Sequence, residues 1–138
     1  MSRGKHKHYM LDTNTVSHLL KDSQGVIRTR LAREPISSIF ISVITEAELL
    51  YGLAKKPGAT SLQKTVQGFL GHLEVLPWDS LASRQYASLR ASTEAAGTIL
   101  GNLDLLIAAH SLATGMVLVT CDRVFFRVKE LHVEDWTA

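Results

Sequence analysis

Four acids in this chain, Asp12, Glu48, Asp104 and Asp122, stand where chemistry collects in an α/β protein. Asp12 ends the short apolar run Tyr9-Met10-Leu11 and is followed at once by Thr13-Asn14. An apolar run bounded by turn and cap residues reads as a buried strand. Its terminal acid then lies at the carboxyl edge of the sheet, outside which open α/β folds place their sites. Asp122 follows the run Met116 to Val119 in the same way. Those two strands are expected to be neighbours at the switch point of a doubly wound sheet. Asp104 lies near the start of a strongly apolar helix, with no Lys or Arg close by in sequence. Glu48 flanks an amphipathic helix.

Each acid also has an ordinary structural use. Asp12 and Asp122 suit turns or helix N-caps, Asp104 suits the positive end of a helix dipole, and Glu48 suits a solvated helix face. Together they suggest more. Four carboxylates sharing one edge repel, and some stay protonated unless a cation sits among them. Oxygen-only ligands favour Mg²⁺, or Mn²⁺ in its place, over zinc. Such a centre suits phosphodiester hydrolysis, and it lets an acidic pocket accept a polyanion.

The elements that must position these acids alternate between strand and helix. Thr13 or Asn14 is expected to cap a helix carrying Val16, Leu19 and Leu20. A second short helix runs from Gly25 to Arg33, closed by Pro35. A strand through Ile39-Phe40-Ile41 leads to Ser42, which caps a helix from about Val43 to Lys55. In that helix Val43, Ile44, Ala47, Leu50, Tyr51 and Ala54 form the expected core stripe. Glu46 and Glu48 flank it, and periodicity does not choose between them. Leu49 and Leu53 fall on the far face, as if for a partner. A helix over 60–72, a strand over 73–76, and a helix from Asp79 or Ser80 to about Gly97 follow, the last with Leu81, Tyr86 and Leu89 inward. Asn102 then caps a helix to Thr114, apolar nearly all round, ended by Gly115. The tail reads as a basic turn and an edge strand over 132–134. This pattern predicts a single three-layer α/β/α domain over residues 1–138 with a mostly parallel sheet, residues 1–7 forming a flexible N-terminal segment.

Composition is compatible with this. At 138 residues, 46% hydrophobic, a real core is affordable and disorder is excluded. No apolar run reaches the ~18 residues of a membrane span, and no signal peptide is visible. The single Cys121 fits a reducing, cytoplasmic setting. The net charge is only +2, but Arg123, Arg127 and Lys129 follow Asp122 closely and are candidates for phosphate contact.

Four segments together resemble the PIN-domain nucleases, and within them the VapC-type toxin ribonucleases of toxin–antitoxin pairs. They are Tyr9-Met10-Leu11-Asp12-Thr13-Asn14, Ile41 to Gly52, Gly101-Asn102-Leu103-Asp104-Leu105-Leu106-Ile107-Ala108-Ala109-His110, and Thr120-Cys121-Asp122-Arg123-Val124-Phe125. The resemblance selects Glu48 over Glu46. It implies a PIN-like fold and a Mg²⁺-dependent endoribonuclease, with Asp12, Glu48, Asp104 and Asp122 as metal ligands and catalytic acids. It also implies a homodimer, inhibited by a VapB-like antitoxin that inserts a segment near the site. Enteric members of the family attack initiator transfer RNA at the anticodon stem-loop. Some relatives carry a further acid where this chain has Ser92; the nearest acid here, Glu94, is given no metal role. Asn14, Ser42 and Thr120 read as supporting or capping groups, and His110 as a core histidine. Two competing readings are a catalytically inactive PIN-like RNA-binding protein and a haloacid-dehalogenase-type phosphatase. The second is weakened because Asn14 stands where that chemistry needs its second acid.

Overall fold

The computed structural model describes residues 7–22 and 25–137. The N-terminal segment expected to be flexible therefore lies outside the described residues, apart from Lys7, whose Nζ sits 3.1 Å from Glu134. The strands are β1 (Tyr9–Leu11), β2 (Ile39–Ser42), β3 (Glu74–Leu76), β4 (Val117–Val119) and β5 (Val133–Glu134). The helices are α1 (Thr13–Lys21), α2 (Val26–Leu31), α3 (Val43–Ala54), α4 (Thr60–Leu70), α5 (Ser80–Ala95) and α6 (Asn102–Thr114). Single 3₁₀ turns occupy Ile36–Ser38 and Arg123–Arg127.

The sheet order is β3-β2-β1-β4-β5, and each neighbouring pair is parallel. β1 and β4 lie side by side, Leu11 opposite Val119, as expected for the strands that end in Asp12 and Asp122. Strand residues alternate between two cores. Tyr9, Leu11, Ile39, Ile41 and Val119 face a core completed by Val16, Leu19, Ile27, Leu49, Leu53, Val66 and Trp136. Met10 and Leu118 face the other, with Leu89, Leu105, Ile107, Phe125 and Leu131. Burying one such side chain contributes roughly 1.5–3 kcal/mol, so both faces are strongly specified. A core on each side of one parallel sheet is the expected α/β/α arrangement.

Three expectations fail in detail. In α3 the buried residues are Thr45, Leu49 and Leu53, while Leu50 and Tyr51 are exposed, Tyr51 at 63%. Of the stripe expected inward, Val43 and Ile44 are half-buried while Ala47, Leu50, Tyr51 and Ala54 face out, because α3 carries apolar residues on two faces and its neighbours decide between them. Leu81 is likewise exposed, and Ala82, Leu89 and Thr93 form the buried side of α5. The cap of α6 is Gly101, not Asn102, and the cap of α1 is Asp12, not Thr13 or Asn14. Gly115 ends α6 as expected, at φ 69°, where a side chain would be strained.

Candidate active site at the carboxyl edge of the sheet

Asp12 is 2% exposed and held on two sides. Its amide donates to the Val119 carbonyl at 3.0 Å, continuing the β1–β4 ladder by one residue. Its Oδ1 accepts the Thr15 amide at 2.8 Å, capping α1. The Thr15 hydroxyl donates to the same Val119 carbonyl at 3.1 Å. The acid is thus a structural cap and a strand-end carboxylate at once, with Oδ1 committed.

Asp122 repeats the device across the β1–β4 pair. Its Oδ1 accepts the Val124 amide at 3.1 Å, capping the turn over Arg123–Arg127, and its own amide donates to Thr120 Oγ1 at 3.1 Å. Asp104 lies in the first turn of α6. Glu48, on α3, accepts from the Thr13 hydroxyl at 2.5 Å, and Thr45 Oγ1 lies 3.2 Å from that hydroxyl. The contact joins residues 35 apart, and no local pattern announces it.

Charge ties the four together. The Asp104 carboxyl is held above its usual range by burial first, then by the negative charges of Asp12, Asp122 and Glu48. Cys121, between the segments, is pushed up by burial and then by Asp12, Asp135 and Asp122. Among the described residues no ion pair involves any of the four acids. Nor do three or more of them already close into a cage of coordination size. The four acids share one electrostatic neighbourhood, with the backbone fixed at Asp12 and Asp122. An all-oxygen donor set that pairs with no cation among the described residues has the chemistry to take a hard divalent ion.

The supporting residues divide. Thr120 touches Asp122, and Ser42 caps α3 by accepting the Ile44 amide at 3.0 Å. Asn14 is exposed, and its side chain makes no hydrogen bond among the described residues. Arg123, Arg127 and Lys129 are exposed just beyond Asp122, none in an ion pair among the described residues. Glu94 pairs with Arg90 at 3.1 Å. His110 is buried, as expected of a core histidine, and bonds Ser42 rather than an acid. Beside Glu48 and Thr13, a cleft of about 330 Å³ opens between α1, α3 and α4, floored by Leu20, Leu49, Leu53 and Val66 and edged by Lys21, Lys55 and Lys56.

The PIN domain profile matches residues 9–131, and with this sheet order the chain is a PIN domain. Within that family the chain belongs to the VapC ribonucleases. It is 37% identical over 129 residues to the tRNA(fMet)-specific endonuclease VapC of Salmonella typhimurium, covering 93% of this chain and 97% of that one. It is 36% identical over 132 residues to Ribonuclease VapC2 of Rickettsia felis, with the same coverage of each chain. Among solved structures, DNA-bound VapBC from Salmonella typhimurium superposes with a TM-score of 0.88 at 36% identity, covering 95% of this chain and 99% of that one. VapBC2 from Rickettsia felis, bound to a promoter DNA fragment, gives 0.85 at 33% identity, covering 93% and 98%. PIN-domain nucleases generally use a divalent metal. Among the described residues no helix is long and apolar enough to cross a membrane.

Proposed function

We propose that this chain is a Mg²⁺-dependent endoribonuclease toxin, acting in the cytoplasm as a single PIN-like domain that pairs into a homodimer. Asp12, Glu48, Asp104 and Asp122 hold the ion and are the catalytic acids. The observation that carries this is the shared field of the four: burial, then the charges of three of them, hold the fourth above its usual range, and no cation among the described residues pairs with them. A bound Mg²⁺, or Mn²⁺ in its place, supplies a water activated for attack and a charge that stabilises the leaving oxygen. The chain's own part is to fix the carboxylates. Asp12 and Asp122 are locked by backbone amides, and Glu48 is locked by Thr13. Arg123 and Arg127, exposed beyond Asp122, meet the substrate's phosphates.

The substrate is structured RNA, with initiator transfer RNA cut at the anticodon stem-loop as the specific reading. The name of the Salmonella relative supports this. A VapB-like antitoxin is the regulatory partner, supported by the VapBC composition of the similar structures. The apolar cleft beside Glu48 gives such a partner a place next to the acids.

Expression of wild type beside Asp12→Asn, followed by mapping of new 5′ ends across cellular RNA, tests the reading. Asn keeps an oxygen for the Thr15 amide, so the cap survives at a cost of a few tenths of a kcal/mol. Wild type should arrest growth and produce a dominant cut, and the variant should do neither. Cleavage by purified wild type should stop in EDTA and return with Mg²⁺ or Mn²⁺. Undiminished cutting by Asp12→Asn, or in chelator, would overturn the proposal.

A further inference from the structure

We infer that His110 is a positioning residue for the acidic site: through Ser42 it fixes the point where α3 leaves the sheet, and so holds Glu48 in register with Asp104. The inference rests on the reading of the four acids as one metal site.

His110 lies on α6, the helix that begins with Asp104. Its ring is 1% exposed, and its Nδ1 is 2.7 Å from Ser42 Oγ. Ser42 is itself fully buried, ends β2 and caps α3. Ser42 Oγ receives the Ile44 amide at 3.0 Å and keeps a hydrogen and a second lone pair, so it can serve either ring tautomer. The Pro77 backbone decides between them: proline offers only a carbonyl, so the ring donates there. With Nδ1 on Ser42, a neutral ring carries its proton on Nε2 and accepts the Ser42 hydroxyl at Nδ1. Burial lowers the ring's proton affinity and so favours its neutral form, against the opposing effects of the Pro77 bond and the Asp79 charge. Trp78 packs edge-on against it at 5.3 Å. One imidazole thus ties α6, the β2–α3 junction and the segment after β3.

That junction matters because α3 crosses the end of the sheet. Ile44, in its first turn, packs with the core on the α6 side, while Leu49 and Leu53 belong to the opposite core. Ser42 is the pivot of this crossing. Glu48 lies beyond the pivot, where the Thr13 hydroxyl receives it at 2.5 Å. A small swing at Ser42 displaces Glu48 relative to Asp104, while either core can absorb it. Groups that orient metal-binding side chains from behind commonly change metal affinity or activity by 10–100-fold when removed.

A histidine serving only the stability of the interior would alter the melting temperature and leave the ion affinity of the folded protein unchanged. Direct Mn²⁺ binding to the full chain, followed by the paramagnetic signal of the free ion, separates these roles, with RNA cleavage as a second readout. His110→Leu should weaken Mn²⁺ binding about tenfold. His110→Asn, which returns an acceptor to the Ser42 hydroxyl, should stay within about threefold of wild type. If His110→Leu does not fold, Ser42→Ala takes its place with the same expected loss, read against Ser42→Thr, which keeps the hydroxyl. Folded variants that bind Mn²⁺ as wild type does overturn the bridge alone. A wild type that neither binds Mn²⁺ nor cuts RNA removes the site reading, and the bridge with it.

Discussion

Two groups of acids in this chain are treated in opposite ways. At the β5 edge, Glu134 and Glu34 are surrounded by cations. Arg30 pairs with Glu34 and lies 3.6 Å from Glu134, which also meets Lys7 at 3.1 Å and accepts from Trp136 Nε1 at 3.0 Å. The Arg30 guanidinium also stacks over Trp136 at 4.7 Å and Tyr9 at 5.8 Å. Burial raises Glu134, but the Trp136 and Lys7 hydrogen bonds and the Lys7 and Arg30 charges outweigh it, leaving the carboxyl below its usual value. At the carboxyl edge, Asp104 is pushed the other way by burial and by three like charges. The first group closes the fold around its termini. The second pairs with no cation among the described residues, which serves stability poorly and, under the proposed function, leaves the charge to an ion from outside.

Asp104→Asn should divide the two groups most sharply. Cleavage should fall at least about a hundredfold, from loss of a metal ligand. The wild type should gain melting temperature when Mg²⁺ or Mn²⁺ is added, by binding linkage, and the variant should lose most of that gain. A variant whose melting point still climbs with the ion as far as wild type's would place the ion elsewhere. Next in size is Thr13→Val, which removes the hydroxyl from Glu48 and should lower cleavage about tenfold. Unchanged kinetics there would mean that Glu48 needs no such support. At the other group, Arg30→Leu should cost about 1–2 kcal/mol in urea unfolding, from the cation–π stack and a partly exposed ion pair. Its cleavage rate at saturating metal should match wild type.

The same contrast has a pH signature. Glu134 is depressed when folded, so its contribution is complete above the ordinary carboxylate value of 4.5 and is lost as pH falls through the folded value. His110 is also depressed, from 6.5, so its neutral, bonded state contributes fully above that value and stability declines as pH drops below it. Urea midpoints between pH 7 and pH 5 should therefore fall in wild type and fall less in His110→Asn, which has no proton to gain.

Strands and their order of use were legible because short apolar runs end abruptly in polar residues, as at Leu11-Asp12 and Val119-Thr120. The buried face of α3 was not, because Leu50 and Tyr51 make as good a stripe as Leu49 and Leu53. Only the packing of α1 and α4 chooses between them. The caps at Asp12 and Gly101 were misplaced by one or two residues for a related reason. Asp12 suits a strand-end acid and a helix cap equally well by sequence, and the structure makes it the cap of α1. The Thr13–Glu48 contact is not legible in the sequence because its partners lie 35 residues apart. His110 was recognised as interior, but its bond to Ser42 spans 68 positions and belongs to the tertiary structure alone.

The double duty of Asp12 bears on how such a chain can change over generations. Because Oδ1 begins α1, the position tolerates only residues that offer an oxygen to an amide. A descendant that abandons cutting can drift to Asn or Ser there and keep its shape, whereas Ala or Leu would loosen the first helix. A loss of toxicity that arises at this codon should therefore leave a folded, partner-competent protein behind.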